Sequence, residues 1–394
     1  MKTLKLIDEH ISVEDWEWAA YSTVMTMQGV ASVSGTERFR QRCASLHPDH
    51  FRSLHNLWVS SIGLGTYLGD ADDQTDELYA LAIQEALRRG CNVLDTAINY
   101  RCQRSERVIG RTVAALVAGG ALTREEVVLC TKGGYLPFDG AVPADPGRYV
   151  VDTIIAPGLA RYDEIVAGCH CLAPAYLDHA LRTSLSNLRA QTIDVYYLHN
   201  PEQQLDEVSR DVFMARLAAA FELLEQRVRD GVIRLYGTAT WNGFRCNPHA
   251  RAYLSLETLV ACAEHVGGSG HHFRAIQLPY NLAMPDAYSF QNQTVDGDTM
   301  SIFQAAEHLG LSVVVSGSLL QSQLTRLPSS LEASIPGLAT SAQRALQFVR
   351  STPGVTTALV GMKQPAHVEE NLALARHPSL GAEQIRHLFD RAAR

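Results

Sequence analysis

The stretch Asn92-Val-Leu-Asp-Thr-Ala-Ile-Asn-Tyr100 decides the fold of this chain. Residues 92–94 predict a short buried strand, because they are mostly apolar and follow Gly90, a residue type that commonly ends a helix. Asp95 comes at the end of this strand, and Tyr100 falls in the loop behind it. The stretch therefore puts an acid and a phenol beyond the carboxyl end of one strand.

Two later predicted strands also end at a titratable residue. Lys132 follows the apolar run at 127–131, and His199 follows the run at 193–198. If the three strands are parallel neighbours in a (β/α)8 barrel, all four titratable side chains meet at the face where such barrels carry chemistry.

The rest of the chain alternates between predicted strands and helices. An apolar stripe of Tyr79, Ile83, Ala86 and Leu87 predicts a helix over 75–89. Further helices are predicted near 105–118, 177–188, up to 230, 253–264, 299–308, 340–350 and 365–375, and further strands at 60–66, 231–239, 274–278, 312–315 and 355–360. This alternation favours one parallel (β/α)8 TIM barrel at 57–394 over an open sheet, with an N-terminal extension at 1–56 and a long loop after the third strand.

Composition argues against several classes of function. The 394 residues carry a net charge of −8 with no basic tract, so we expect no nucleic-acid partner. No apolar stretch reaches the ~20 residues that span a membrane, and the N-terminus lacks a signal-peptide pattern. The 8 cysteines are scattered, which favours reduced thiols. We expect a cytoplasmic monomer or homodimer.

At the four strand-end positions the chain resembles the aldo-keto reductase family. The family pattern has Asp and Tyr five residues apart after the second barrel strand, Lys ending the third and His ending the fourth, and Asp95, Tyr100, Lys132 and His199 match it. The resemblance implies an NADP(H)-dependent oxidoreductase that reduces an aldehyde or ketone, a small-molecule carbonyl substrate, to an alcohol. It makes Tyr100 the general acid, assisted by Lys132, Asp95 and His199.

The four residue types suit that reaction. A phenol keeps its proton at neutral pH, and a neighbouring ammonium favours the phenolate and so eases proton loss. Asp95 would hold Lys132 in place, and His199 would orient the carbonyl oxygen. Taken singly, each also has a structural interpretation: Asp95 as a turn cap, Tyr100 as a rim residue, Lys132 as a solvated lysine and His199 as a half-buried histidine.

A second resemblance lies in residues 360–371, which are similar to the family's adenosine-phosphate motif. It implies that Lys363 meets the 2′-phosphate of NADPH and that Glu370 and Asn371 contact adenine, with a helix N-terminus near Pro365 adding a positive dipole end. His367 stands where the family often has Arg or Gln. The complete set of predicted cofactor-binding residues is Gln277, Tyr280, Ser318, Leu319, Gly361, Lys363, His367, Glu370 and Asn371.

Some positions depart from the family pattern. Ala239-Thr240 replaces a Ser-Asn pair that supports the nicotinamide amide, and Ser316 replaces a stacking aromatic, although Trp241 is near in sequence. A regulatory protein that binds the cofactor with little turnover therefore stays an alternative. A metal-dependent hydrolase using His199 and the Cys169–Cys171 region is a third interpretation, but with no second Cys/His pair we predict no metal site.

The segment from Gly133 to Ala173 is too long for a minimal strand–helix connection. We predict that it folds over the Tyr100 and His199 side of the barrel mouth, with apolar walls supplied by Phe138, Tyr149 and Tyr162. The alternative is that it lies along the barrel exterior or in a dimer contact. For the extension at 1–56 we expect packing on the exterior or at a subunit interface rather than over the substrate.

Overall fold

Eight parallel strands form the centre of the molecule in the computed structural model, which describes residues 26–392. The strands pair in chain order, and the eighth pairs with the first, so the sheet closes into a barrel. Strands β1 to β8 are Ile62–Gly65, Val93–Asp95, Val128–Gly133, Ile193–His199, Ile233–Ala239, Phe273–Pro279, Ser312–Ser316 and Val355–Gly361. The predicted (β/α)8 barrel is confirmed.

A helix follows each strand and packs on the outside of the barrel. Helices α1 to α8 are Asp73–Arg88, Arg104–Ala118, Pro174–Leu188, Arg210–Arg229, Leu256–Gly267, Ile302–His308, Ser341–Ser351 and Pro365–Leu372. The predicted stripe on α1 is buried in the layer between the helices and the sheet. Within residues 26–392, no helix is long and apolar enough to cross a membrane.

Several short helices and hairpins lie outside the repeating strand–helix units. Three short helices lie in or beside the barrel's longer connections, at Pro146–Val150, Asp286–Ser289 and Ser329–Ser334, and a π-helical turn at Val151–Ile155 continues the first of them. A helix at Ala382–Ala392 ends the described chain. Two hairpins interrupt the repeat, at Ile165–Val166 with His170–Cys171 and at Gln291–Val295 with Asp298–Ser301.

The chain before β1 closes the amino-terminal end of the barrel, which we call the floor. A helix at Val33–Arg42 is followed by a hairpin of Phe51–Leu54 and Leu57–Ser60. The hairpin side chains of Leu54, Leu57 and Val59 are buried in one cluster with residues of the barrel interior. The described part of the extension thus lies opposite the C-terminal face, and residues 1–25 lie outside the described residues.

One strand boundary differs from the prediction. The sequence pattern places Ser60 in the first barrel strand, but Ser60 ends the floor hairpin and β1 begins at Ile62. The side chain of Asn92 accounts for the break: it accepts from the Ser60 N–H (2.8 Å) and donates to the Trp58 carbonyl (2.9 Å). The predicted boundary at residues 56 and 57 falls within this hairpin.

Candidate active site

The C-terminal ends of β2, β3 and β4 bring together a buried acid, an amine and an imidazole. The Lys132 ammonium donates to Oδ1 of Asp95 at 2.5 Å and to the Thr96 carbonyl at 2.7 Å. Both side chains of the pair are at most 4% exposed. Parallel pairing of β2 with β3 sets Asp95 opposite Cys130, two residues before Lys132, so the side chains of Asp95 and Lys132 emerge on the same side of the sheet.

Tyr100 and His199 complete the group. The Lys132 ammonium lies 4.9 Å from the centre of the Tyr100 ring, and the Tyr100 and His199 rings are 5.8 Å apart in an edge-to-face arrangement. Both rings are half-buried. The four residues predicted from the strand ends therefore meet at one barrel mouth.

Burial sets the protonation of these groups. Burial raises the pKa of Tyr100 above its ordinary value, and Lys132 acts in the opposite direction with a smaller effect. The pKa of Lys132 is lowered by burial, but Asp95 and Tyr100 together outweigh this and raise it. Burial, and then the charge of Lys132, lowers the pKa of His199 well below its ordinary value. The mouth thus holds a protonated phenol, an ammonium and a neutral imidazole.

Gln277 takes part in the same network. Its side-chain amide donates to Oδ2 of Asp95 at 2.8 Å, so both oxygens of that carboxylate are engaged. No donor among the described residues reaches its side-chain carbonyl oxygen, which can therefore accept from a ligand. Nearby on β5 and directly after it, the hydroxyls of Thr238 and Thr240 are buried without a hydrogen-bond partner among the described residues.

The predicted adenosine stretch surrounds the start of α8. Lys363 is half-buried, and no ion pair within residues 26–392 joins it to a carboxylate. Asn371 is buried, and its Oδ1 has no partner among the described groups. Gly361 and His367 are exposed and Glu370 is half-buried. An unpaired cation and an unsatisfied amide oxygen are groups that a nucleotide phosphate and base can satisfy.

Ser318 and Leu319 follow β7 as predicted, but their side chains differ in how far a ligand could contact them. The Ser318 hydroxyl is buried and donates to the Leu359 carbonyl at 2.8 Å, whereas Leu319 is half-buried and packs on the core. Ser318 therefore fixes the loop to β8, and only the loop backbone and Leu319 remain for a ligand.

The side chain of Tyr280, one of the predicted cofactor-binding residues, lies in the core of the barrel. Its side chain is fully buried, its ring stacks on Phe348 at 5.4 Å and meets Phe303 edge-on at 5.1 Å. Its hydroxyl bonds with Thr352 at 3.0 Å. The residue after β6 points outward into the layer beneath α6 and α7, so its side chain belongs to the core and not to the mouth.

The long segment after β3 divides into a base and an outer part. In the base, residues 133–138 and 165–171, Tyr135 packs on His199 at 4.9 Å and main-chain bonds join Leu136 to Cys169 and Cys171 to Gly134. His170 donates from Nε2 to the His199 carbonyl at 2.7 Å. His170 therefore supports the end of β4 through this bond.

The outer part, residues 139–164, packs against the outer helices α3 and α4. Phe138 and Tyr149 pack on each other at 5.6 Å, and Arg216 of α4 donates to the Asp163 carbonyl at 2.6 Å. Tyr162 is exposed and lines a cavity of about 470 Å³ formed by residues 155–164 and the start of α3. Of the three predicted walls, Tyr162 thus borders a cavity to which none of the four central residues contributes.

Sequence reasoning missed several residues at the mouth. Tyr67 packs on Tyr100 at 5.0 Å, Tyr135 contacts His199, and the Glu202 carboxylate accepts the N–H groups of residues 241–243. The signal for the two tyrosines is their position, because Tyr67 and Tyr135 each come two residues after the end of a barrel strand. Glu202 comes three residues after β4, but its partners lie about 40 residues away in the chain, so its role could not be read from that position.

Comparison of the sequence with known proteins gives consistent matches. Residues 61–247 match the model of the aldo/keto reductase family. An uncharacterized oxidoreductase of Bacillus subtilis is 25% identical over 346 residues, which cover 84% of this chain and 92% of that protein. A putative voltage-gated potassium channel subunit beta of Schizosaccharomyces pombe is 25% identical, over 82% of this chain and 87% of its own.

Solved structures share the architecture. An aldo/keto reductase from Klebsiella pneumoniae in complex with NADP and acetate has a TM-score of 0.57 and 22% identity, over 87% of this chain and 95% of that one. A glycerol dehydrogenase from Gluconobacter oxydans has a TM-score of 0.61 and 19% identity, over 88% of this chain and 96% of its own. At these identities the similarity establishes the shared barrel.

Proposed function

With residues 61–247 matching its model, the chain belongs to the aldo/keto reductase family, and we propose that it is an NADP(H)-dependent oxidoreductase that reduces an aldehyde or ketone to an alcohol. The observation that carries the proposal is the meeting of Tyr100, Lys132, Asp95 and His199 at one barrel mouth. These four side chains are sufficient for the proton-transfer half of the reaction.

The protein side chains account for the proton and the charge. Tyr100 gives its proton to the carbonyl oxygen, because it is protonated at neutral pH and is the phenol beside a buried ammonium. Lys132 stabilises the phenolate that forms, and Asp95 holds Lys132 charged. His199 is neutral and donates one hydrogen bond to the substrate oxygen. General acid catalysis of this kind contributes ~10²–10⁴-fold.

The bound nicotinamide cofactor would supply the hydride, which no side chain can donate. Lys363 and Asn371 are the residues we assign to its adenosine end, because both present groups without a protein partner within residues 26–392. Gln277 is assigned to the carboxamide through its side-chain carbonyl oxygen, which accepts no hydrogen bond within residues 26–392. Solved relatives described as complexes with NADP and with NADPH support this choice of cofactor.

Turnover of purified protein tests the proposal. We expect oxidation of NADPH, followed at its absorbance maximum, when aldehydes, ketones and keto sugars are added singly. Tyr100→Phe is the matched control, because it removes the hydroxyl and keeps the ring. Binding of NADPH without turnover of any carbonyl would reject carbonyl reduction, whereas failure to bind NADPH would reject the cofactor as well.

A regulatory protein that binds the cofactor with little turnover is the second candidate. It is supported by the replacement at Ala239-Thr240, beside which the hydroxyls of Thr238 and Thr240 have no partner among the described residues, and by the potassium channel subunit among the relatives. This candidate predicts tight NADPH binding and a turnover that Tyr100→Phe leaves unchanged. The two functions therefore separate on the same pair of measurements.

A further inference from the structure

The backbone directly after Tyr100 is unusual. Arg101, Cys102 and Gln103 have φ angles of 49°, 54° and 70°, so three successive residues with side chains occupy the left-handed region. Such conformations are costly for residues other than glycine and persist only where surrounding contacts hold them. The turn that presents Tyr100 must therefore be held from outside.

Arg101 supplies the strongest of these contacts. Its side chain is 1% exposed and pairs with Asp76 of α1 at 2.6 Å. The same guanidinium donates from Nε to the Asp70 carbonyl at 2.7 Å and from Nη2 to the Asp72 carbonyl at 3.2 Å. A planar guanidinium can hold three acceptors at once, which an ammonium on a flexible stem does poorly.

Two of these acceptors, the Asp70 and Asp72 carbonyls, belong to the loop at 67–72 that joins β1 to α1. Tyr67, at its start, packs on Tyr100 with ring centres 5.0 Å apart. Gly69, in its middle, has a φ of 111°, and a Cβ built there would lie 3.6 Å from the Lys363 ammonium. The loop thus reaches from the phenol to the predicted phosphate-binding lysine.

The other two residues of the turn face the long segment after β3. Gln103 donates to the Phe138 carbonyl at 3.1 Å, and the Cys102 carbonyl accepts from Gly140 at 2.9 Å. Of the three turn residues, Arg101 therefore makes the side-chain contacts to the 67–72 loop.

We propose that Arg101 is a positioning residue that clamps the turn behind Tyr100 to the 67–72 loop and so keeps the phenol beside Lys132. The effect of this clamp on catalysis rests on the proposed function. Arg101 touches none of the reacting atoms and acts through Tyr100 and Tyr67. Its loss lets the turn and the loop move apart, which lengthens the distance between the phenol and the ammonium.

Arg101→Gly is the test variant, because glycine accepts the positive φ and the clamp is lost without added backbone strain. We expect kcat to fall by about 10- to 100-fold, the size of effect that small misplacements at an active site produce, with a smaller change in the Kd for NADPH. Arg101→Lys, which keeps the charge but not the planar fork, should lose activity in the same direction. It also serves if the glycine variant does not fold.

Two control variants isolate the clamp. Cys102→Gly changes the backbone freedom of the same turn, and Arg104→Ala removes another partner of Asp76 (2.9 Å) that makes no bond to the loop. Both should keep kcat within about twofold of the parent, as changes away from the reacting groups usually do. Equal losses in these controls and in Arg101→Gly would overturn a specific clamp.

A second readout does not depend on turnover. Tyrosinate absorbance is titrated for the parent and for Arg101→Gly, each measured against the same protein carrying Tyr100→Phe, so that the difference reports Tyr100. We expect the pKa of Tyr100 to rise in Arg101→Gly, because Lys132 lowers it and would lie farther away. An unchanged titration overturns the proposal, even if the parent protein reduces no carbonyl and the proposed function itself fails.

Discussion

The two ends of the barrel bury different kinds of side chain. The floor hairpin puts Leu54, Leu57 and Val59 into one apolar cluster with the barrel interior. The mouth buries Asp95 and Lys132, which are at most 4% exposed, and leaves Nδ1 of His199 without a partner among the described residues. Both ends are closely packed, but the apolar cluster of the floor gains free energy by leaving water, whereas the buried charges of the mouth lose their hydration.

The difference separates stability from chemistry. Burying an aliphatic side chain contributes about 1.5–3 kcal/mol, whereas a buried ion pair often costs as much desolvation as its attraction returns. The mouth therefore keeps its buried charges at the expense of stability. Changes at the floor should lower the free energy of unfolding and leave the reaction nearly unchanged. Changes at the mouth should slow the reaction and leave the free energy of unfolding nearly unchanged.

The largest expected effect is on the reaction, at Tyr100. Tyr100→Phe should lower kcat by about 10²–10⁴-fold, because it removes the proton donor. The free energy of unfolding and the Kd for NADPH should stay nearly constant. Tyr197→Phe is the matched control, since it deletes another buried hydroxyl without a partner in the described chain, two residues before His199. A parallel loss of stability in Tyr100→Phe would contradict the separation of the two ends.

At the floor, Leu57→Ala should lower the free energy of unfolding by about 2–5 kcal/mol through the lost apolar contact and the cavity left behind. Denaturant titration measures this, and kcat at low temperature should be unchanged. Val33→Ala, at an exposed site of the preceding helix, is the control and should change stability by less than about 0.5 kcal/mol. A loss of kcat in folded Leu57→Ala would show that the ends are coupled.

Acid should weaken the floor through His50. Burial, with Arg350 and Arg52 nearby, lowers the pKa of His50 from 6.5 to about 3. The unfolded chain takes up this proton as pH falls below 6.5 and the folded protein does not, so stability should fall by about 1.4 kcal/mol per pH unit from this group. Unfolding measured at pH 7 and pH 5 should show a smaller drop for His50→Asn. Equal drops would remove His50 from this role.

Cofactor choice should depend on Lys363. Lys363→Ala should raise the Kd for NADPH by about tenfold and leave the Kd for NADH nearly unchanged, because only NADPH has a 2′-phosphate for a charge-assisted contact. Fluorescence titration of parent and variant with both cofactors measures the effect. Parent protein that binds the two cofactors equally would exclude Lys363 from phosphate recognition.

The smallest expected effect concerns the segment after β3. Replacing residues 141–161 with a short Gly/Ser linker should change the KM of the best substrate by less than about threefold, because this outer part packs on α3 and α4. Tyr135→Ala, in the base beside His199, should raise KM more. If the linker variant has the larger KM, the outer part reaches the substrate and the predicted lid is the better description.

Much of the barrel and its central group could be predicted from local pattern. The alternation of apolar runs with amphipathic helices sets the order of strands, and the residue that ends each parallel strand must emerge at the same face. Asp95, Lys132 and His199 therefore come together whatever the details of packing. Tyr100 follows because its loop is short.

Other features depended on contacts between distant parts of the chain. The sequence could not show that Tyr280 turns outward onto Phe348, that Gln277 binds Asp95 across 182 residues, or that a hairpin closes the floor. The sequence by itself determined the barrel and the residues at its strand ends, because those follow from periodicity along the chain. Only the tertiary structure decided which way loop residues face and how Arg101 holds the turn behind Tyr100, because these depend on partners that closure of the barrel brings together.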